Sequence, residues 1–157
     1  MRNSIRKYST SDLPYIRDIY RKAIRQIGNT AYSKDQVAAW SSFPEDTDAF
    51  RKWVEEADSF VATDERGNCI GFGGWEKTGR ISALFVHPGH MRKGVGSMIL
   101  SHLIKQAEAE KLHTTTTEAS EFSKPLFEKY GFTVVEIEST EFKNVKFQRY
   151  VMQYRIK

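Results

Sequence analysis

The sequence predicts an α/β protein, a mixed sheet with helices on both faces and the element order β-α-α-α-β-β-β-α-β-α-β-β. Three observations predict it. Apolar residues recur at helical spacing early in the chain (Ile16, Ile19, Tyr20, Ala23, Ile24, Ile27). From Ser59 to Val86 the pattern changes to short β-rich runs divided by turn signals. From Ile81 to Leu100 an apolar strand, a glycine-punctuated turn and an amphipathic helix follow one another, and a further strand comes after them. A strand–helix–strand step of that kind implies a right-handed crossover and a parallel pair.

Ile5 to Tyr8 is the first strand. Ser9 to Asp12 offer cap oxygens, Pro14 suits a first helical turn, and Gly28-Asn29 stops the helix. Asp35 to Ser41 and Asp46 to Ala57 are two shorter helices separated by Phe43-Pro44. Strands Ser59 to Thr63 and Asn68 to Trp75 flank the turn Asp64-Glu65-Arg66-Gly67, and the turn Glu76 to Arg80 leads into the strand Ile81 to Val86, giving three antiparallel neighbours. The helix after Gly94 places Val95, Met98, Ile99, His102, Leu103, Gln106 and Ala107 on the face that meets the sheet. Leu112 to Glu118 is a threonine-rich strand. A short helix opens at Ser123-Lys124-Pro125 and ends at Gly131, and Thr133 to Ser139 with Lys146 to Ile156 form a closing hairpin.

At 157 residues with no linker or repeat, the chain reads as a single domain over residues 1–157. The longest apolar runs fall far short of the ~20 residues that span a membrane, and no apolar signal segment opens the chain, so a cytoplasmic protein is expected. Cys69 is the lone cysteine, which leaves no disulfide framework and no metal spacing. His87, His90, His102 and His113 form no ligand pattern, so no metal is predicted. The net charge of +4 raises nucleic acid as a partner, but the basic residues are scattered among acidic ones without a run or an aromatic platform.

The chemistry concentrates at His87–Ser97. A loop of free backbone N–H groups at a helix N-terminus is an anion site. Arg92 and Lys93 at its lip make phosphate the expected anion, and Gly94 and Gly96 let a ligand approach the backbone. A dinucleotide site is the weaker alternative, because Gly94-Val95-Gly96-Ser97-Met98-Ile99 lacks the third glycine of that fingerprint and hairpins precede it.

The segment LFVHPGHMRKGVGSMIL, the later segment Lys124-Pro125-Leu126-Phe127-Glu128-Lys129-Tyr130-Gly131-Phe132, and the start Ile5-Arg6-Lys7 with Ser11-Asp12-Leu13 resemble the GNAT superfamily of acyl-CoA-dependent N-acyltransferases. The resemblance covers nearly the whole chain. It implies acetyl-CoA as co-substrate, with the pyrophosphate on the backbone of Met91, Arg92, Lys93, Gly94, Val95, Gly96 and Ser97. It also implies a central strand, Leu84-Phe85-Val86, that splays from Thr114 to Glu118 and pairs with the pantetheine arm. A small-molecule or protein amine is the implied acceptor, with neither nucleic acid nor membrane as partner, and a homodimer is compatible with the family. A non-catalytic coenzyme A sensor of the same fold is the alternative.

Glu118, at the end of the splaying strand, is the candidate general base; the competing reading is a solvated carboxylate. Three positions depart from the family pattern. Met91 replaces the usual Gln or Arg, and Phe127 replaces a tyrosine that faces the thioester sulfur. Tyr130, one turn on, is then the candidate proton donor, against a core-packing role. Ser120 replaces the family's asparagine and retains a hydroxyl for the pantetheine.

Overall fold

A computed structural model describes residues 2–27 and 31–156. Strand β1 (Ser4–Lys7) leads through a short 3-10 turn into helix α1 (Leu13–Ile27). Asp12 organises this junction. Its carboxylate accepts from the Ser9 backbone N–H at 2.8 Å and takes a two-pronged hydrogen bond from Arg6, both contacts at 2.8 Å. Helix α1 buries the predicted stripe, with Ile16 and Ile24 fully shielded from solvent; each such side chain contributes roughly 1.5–3 kcal/mol. The expected stop at Gly28-Asn29 lies outside the described residues.

Helix α2 (Lys34–Ser41) opens on a reciprocal cap in which the Gln36 N–H donates to Ser33 Oγ and the Ser33 N–H to Gln36 Oε1. Helix α3 (Thr47–Glu56) follows a 3-10 turn at Phe43–Glu45. Strands β2 (Asp58–Thr63), β3 (Cys69–Trp75) and β4 (Arg80–Val86) pair antiparallel in sequence. Helix α4 (Val95–Ala109) crosses back to β5 (Thr114–Ala119), helix α5 (Lys124–Lys129) follows, and β6 (Thr133–Phe142) turns into β7 (Val145–Arg155).

The element order is the one the sequence predicts. The seven strands form one sheet in the order β1-β2-β3-β4-β5-β7-β6, so the last strand inserts between β5 and β6. That insertion is not encoded locally, because β7 satisfies the edge of β5 and of β6 at once. Strand β6 is longer than the predicted Thr133–Ser139. A two-residue turn, Lys143 and Asn144 at φ 51° and 65°, closes the hairpin farther out without a glycine to mark it.

One apolar cluster joins α1, α3 and the outer face of β2–β4; the other joins α4 and α5 to the opposite face. The buried stripe of α4 is Val95, Ile99, Leu100, Leu103, Ile104 and Ala107. The predicted His102 and Gln106 flank it instead, and the His102 ring packs edge-on against Phe60 at 4.5 Å. Helix and sheet approach closely at Gly73, where a Cβ would lie 2.5 Å from Ile99 Cγ2.

Candidate active site

Strands β4 and β5 are parallel neighbours for only two residue pairs, Arg80 with Thr116 and Ile81 with Thr117. Thr117 Oγ1 donates to the Ile81 carbonyl at 3.0 Å and closes that short contact. Ser82 is an extra residue in β4, since Gly74 pairs with Ala83 while Trp75 pairs with Ile81. A bulge of this kind bends its strand and re-aims the next residues along it. Past the bulge β4 and β5 part, and β5 continues against β7. The gap is the mouth of a cleft of about 910 Å³ lined by Leu84, Phe85 and Val86, by the turn before α4, and by α5.

The turn is shaped by two residues with positive φ, Arg92 at 62° and Gly94 at 81°. Gly94 is the N-cap of α4, and its conformation is one that an L side chain rarely adopts. The Met98 N–H to Gly94 carbonyl bond, 3.0 Å, opens the helical ladder. The N–H groups of Val95, Gly96 and Ser97 precede it and have no partner inside the helix. A Cβ on Gly96 would point between Leu126 Cδ2 at 3.1 Å and Val86 Cγ2 at 3.7 Å, so this glycine keeps the slot between β4 and α5 open. Met91, Arg92, Gly94, Gly96 and Ser97 line the cleft. Val95 turns its side chain into the core and Lys93 stands exposed outside the cleft wall. His87 is spent locally: its Nδ1 accepts from the Gly89 N–H at 3.0 Å, and burial, with Lys22 nearby, lowers its pKa.

On the opposite wall, Ser120 and Ser123 cap one another. The Ser120 N–H donates to Ser123 Oγ and the Ser123 N–H to Ser120 Oγ, both at 3.0 Å. Ser120 faces the cleft, and Glu118 reaches it from β5. Glu118 is held from below by Arg80, whose Nη2 lies 2.7 Å and Nε 2.9 Å from Oε1, and Arg80 Nη1 also bonds Glu76 at 2.9 Å. The Glu118 hydrogen bond is the main cause of a raised Arg80 pKa. Phe127 lines the cleft but lies buried against Phe132, ring centres 5.1 Å apart. Tyr130 points elsewhere. Its hydroxyl accepts from Ser101 Oγ at 3.4 Å and donates to the Ser97 carbonyl at 3.5 Å, long contacts on the flank of α4, and it is absent from the cleft lining. Hydrogen bonding by the side chains of Ser101 and then Ser97 lowers its pKa.

Arg80 was invisible as a functional residue because it closes a turn in the sequence. The parallel pairing of β4 with β5 is what sets it beneath Glu118. Tyr20, Trp40, Phe43 and Trp53 also line the cleft. Tyr20 is packed among Phe43, Phe50, Trp53 and Phe85, and its burial raises its pKa.

A strand that splays from its parallel neighbour and delivers its end to a bare helix N-terminus is the architecture of an acyltransferase fold. The family described as "Acetyltransferase (GNAT) domain" matches residues 29–154. A curated protein of Escherichia coli (strain K12), the uncharacterized N-acetyltransferase YafP, is 30% identical over 151 residues, covering 96% of this chain and 95% of its own length. The chain belongs to the GNAT family of N-acetyltransferases. Solved structures share the fold. A GCN5-related N-acetyltransferase from Rhodopseudomonas palustris superposes with a TM-score of 0.95 at 24% identity, covering 99% of this chain and 97% of its own. The PaiA N-acetyltransferase of Thermoplasma acidophilum, solved in complex with coenzyme A, gives 0.76 at 17% identity over 99% and 100% of the two chains.

Proposed function

We propose that residues 1–157 act as one acetyl-CoA-dependent N-acetyltransferase domain that joins acetyl-CoA and a primary amine in a ternary complex. The observation that carries this reading is the continuity of the cleft. The edge of β4 left open beyond Ile81 runs directly to the unpartnered N–H groups of Val95, Gly96 and Ser97. The residues present fit the co-substrate. Those N–H groups, with the helix dipole and Arg92, suit a pyrophosphate. The edge of Leu84–Val86 suits the amides of a pantetheine arm, and the Gly96 slot leaves room between β4 and α5.

Acetyl-CoA supplies a thioester carbonyl carbon open to attack. The nitrogen lone pair forms the new C–N bond, the C–S bond breaks, and its electron pair leaves on sulfur. The amine sheds one proton, so the products are the N-acetylamine and coenzyme A. Glu118 is the carboxylate placed to take that proton, directly or through water. Backbone N–H groups of β4 beyond the bulge are the donors available to the carbonyl oxygen as it gains charge. Phe127 has no proton to give and the Tyr130 hydroxyl faces α4, so protonation of the thiolate falls to water. Titration calorimetry with acetyl-CoA tests the reading; absence of binding at millimolar ligand refutes it.

The same three residues support a second reading, a coenzyme A-binding sensor without turnover. In it Phe127, the outward Tyr130 and the Arg80-bound Glu118 mark lost chemistry. Thiol release over an amine panel separates the two, since binding without release on any amine favours the sensor.

A further inference from the structure

Beside the cleft lies a second chamber of about 410 Å³, within the size range of small-molecule sites (roughly 300–1,000 Å³). Its walls come from two distant parts of the chain. Tyr20, Trp40, Phe43 and Trp53 stand on the helical side; Phe142 and Phe147 descend from the β6–β7 hairpin. The rings meet edge to face, with Phe43 against Phe142 at 6.0 Å and Trp40 against Phe147 at 6.3 Å. Glu118 and Arg149 border both the chamber and the cleft.

Arg149 is the one cation among the described residues that line the chamber. Glu138, Thr140 and Phe142 alternate to one face of the hairpin, and their partners Arg149, Phe147 and Val145 share it. All of these are half-buried, whereas Glu141 and Gln148 alternate to the other face and are exposed. Glu118 pairs with Val151, two residues along β7 from Arg149, so Glu118 and Arg149 are diagonal neighbours on one face, roughly 7–8 Å apart at the backbone. Glu138 accepts from Arg149 Nε alone, and among the described residues neither Nη group has a partner. Arg80, on the same cleft, is fully engaged: Glu118 accepts from its Nε and Nη2, and Glu76 from its Nη1. Arg149 has the first kind of partner and lacks the second. Its two-pronged end is left free, and that end matches the two oxygens of a carboxylate.

We infer that the Arg149 Nη groups seat a carboxylate of the acceptor, and that the acceptor is an α-amino acid with an aromatic side chain. The chamber rings receive that side chain by edge-to-face contact, and the short span from Arg149 to Glu118 suits an amine one carbon from the carboxylate. The inference rests on the acetyl-transfer reading above and narrows it to a substrate class. Phenylalanine, phenylalaninamide, phenethylamine and alanine form the test panel: the second and third lack the anion, and the last lacks the ring. With acetyl-CoA, kcat/KM for phenylalanine is expected to exceed each of the others by about tenfold or more, the scale of a hydrogen bond to a charged group or of a buried ring. Arg149→Gln should bring the phenylalanine-to-phenylalaninamide ratio close to one, and Arg149→Lys should retain part of it. Tryptophan fluorescence, reporting Trp40 and Trp53, is titrated with the same four compounds without cofactor. If acetyl-CoA fails to bind, the catalytic reading falls and this titration decides the inference. The wild-type panel decides even where Arg149→Gln does not fold. Phenylalanine leading the panel, with its lead over phenylalaninamide lost in Arg149→Gln, supports the inference. Any other member equalling phenylalanine overturns it, as does a lead that survives Arg149→Gln or a panel in which nothing is turned over or bound.

Discussion

Replacing Gly96 by alanine should move stability and ligand binding in opposite directions. Gly96 lies in the first turn of α4, where glycine in place of alanine costs roughly 0.5–1 kcal/mol. The new methyl would meet Leu126 Cδ2 at 3.1 Å, the movable end of a half-buried side chain, and Val86 Cγ2 at a comfortable 3.7 Å. Leu126 must yield a few tenths of an ångström, which returns part of the gain. The expected net is about +0.5 kcal/mol, a rise in Tm of about 1–2 °C for a chain of this size. The same methyl fills the slot through which, on the proposed reading, a pyrophosphate reaches the N–H groups of Gly96 and Ser97. Loss of one hydrogen bond to a charged oxygen is worth roughly 1.5–3 kcal/mol, so the Kd for acetyl-CoA should rise about ten- to hundredfold. Thermal unfolding of the free protein reads the first effect, and calorimetry with acetyl-CoA reads the second. A variant that is more stable and binds with unchanged affinity would refute the reasoning, because the slot would then not be the path of the ligand.

The remaining predictions concern other positions. Gly94→Ala puts a side chain at φ 81° with open space around it, so its cost is backbone strain alone, about 1–2 kcal/mol in urea unfolding, and Gly94→Asn should recover part of it. Arg80→Met strips Glu118 of its partner and should cost about 1–2 kcal/mol, a figure kept low because the Arg80 side chain is 37% exposed; Arg80→Lys should restore the charge but not the fork. Glu118→Gln should lower kcat by about a hundredfold with acetyl-CoA affinity intact if the carboxylate takes the proton, and a full-rate variant hands that step to water. The Arg6 hydrogen bonds hold the Asp12 pKa below its unfolded value, so their stabilisation is present above about pH 4 and is lost as pH falls through the folded-state pKa; urea midpoints of wild type and Asp12→Asn should differ at pH 7 and draw together as the pH is lowered through the acid range.

The strand, turn and helix on one side of the cleft were legible because they are contiguous. Strand, turn and helix from Ile81 to Leu100 each carry a local signal, and their order in the chain is their order in space. Met91, Gly94, Gly96 and Ser97 accordingly fall on the cleft as expected. Lys93 does not, because the positive φ of Arg92 and Gly94 on either side decides where its side chain goes, and composition does not report φ. Helix phase explains the Tyr130 result. One turn beyond Phe127 is close in sequence, but three residues of rotation at the end of a short helix carry the hydroxyl onto α4 instead of into the cleft. The meeting of the early helices with the hairpin was not legible, because Trp40 and Phe147 come together only when β7 inserts between β5 and β6. Nothing within a window of sequence encodes that event.

Gly73 shows how far control of the ligand site extends. The sheet offers α4 a smooth seat at this residue, so Ile99 settles within van der Waals reach of the strand backbone. Ile99 is less than one helical turn from Gly96, and a helix is stiff along its axis. Any bulk added under Ile99 would therefore lift the N–H groups of Gly96 and Ser97 by a similar amount. On the proposed reading the height of the phosphate seat is thus fixed from underneath, by a missing side chain in a buried strand outside the cleft lining. Substitutions in the middle of β3 would surface as changes in cofactor affinity, not as a loss of the cleft.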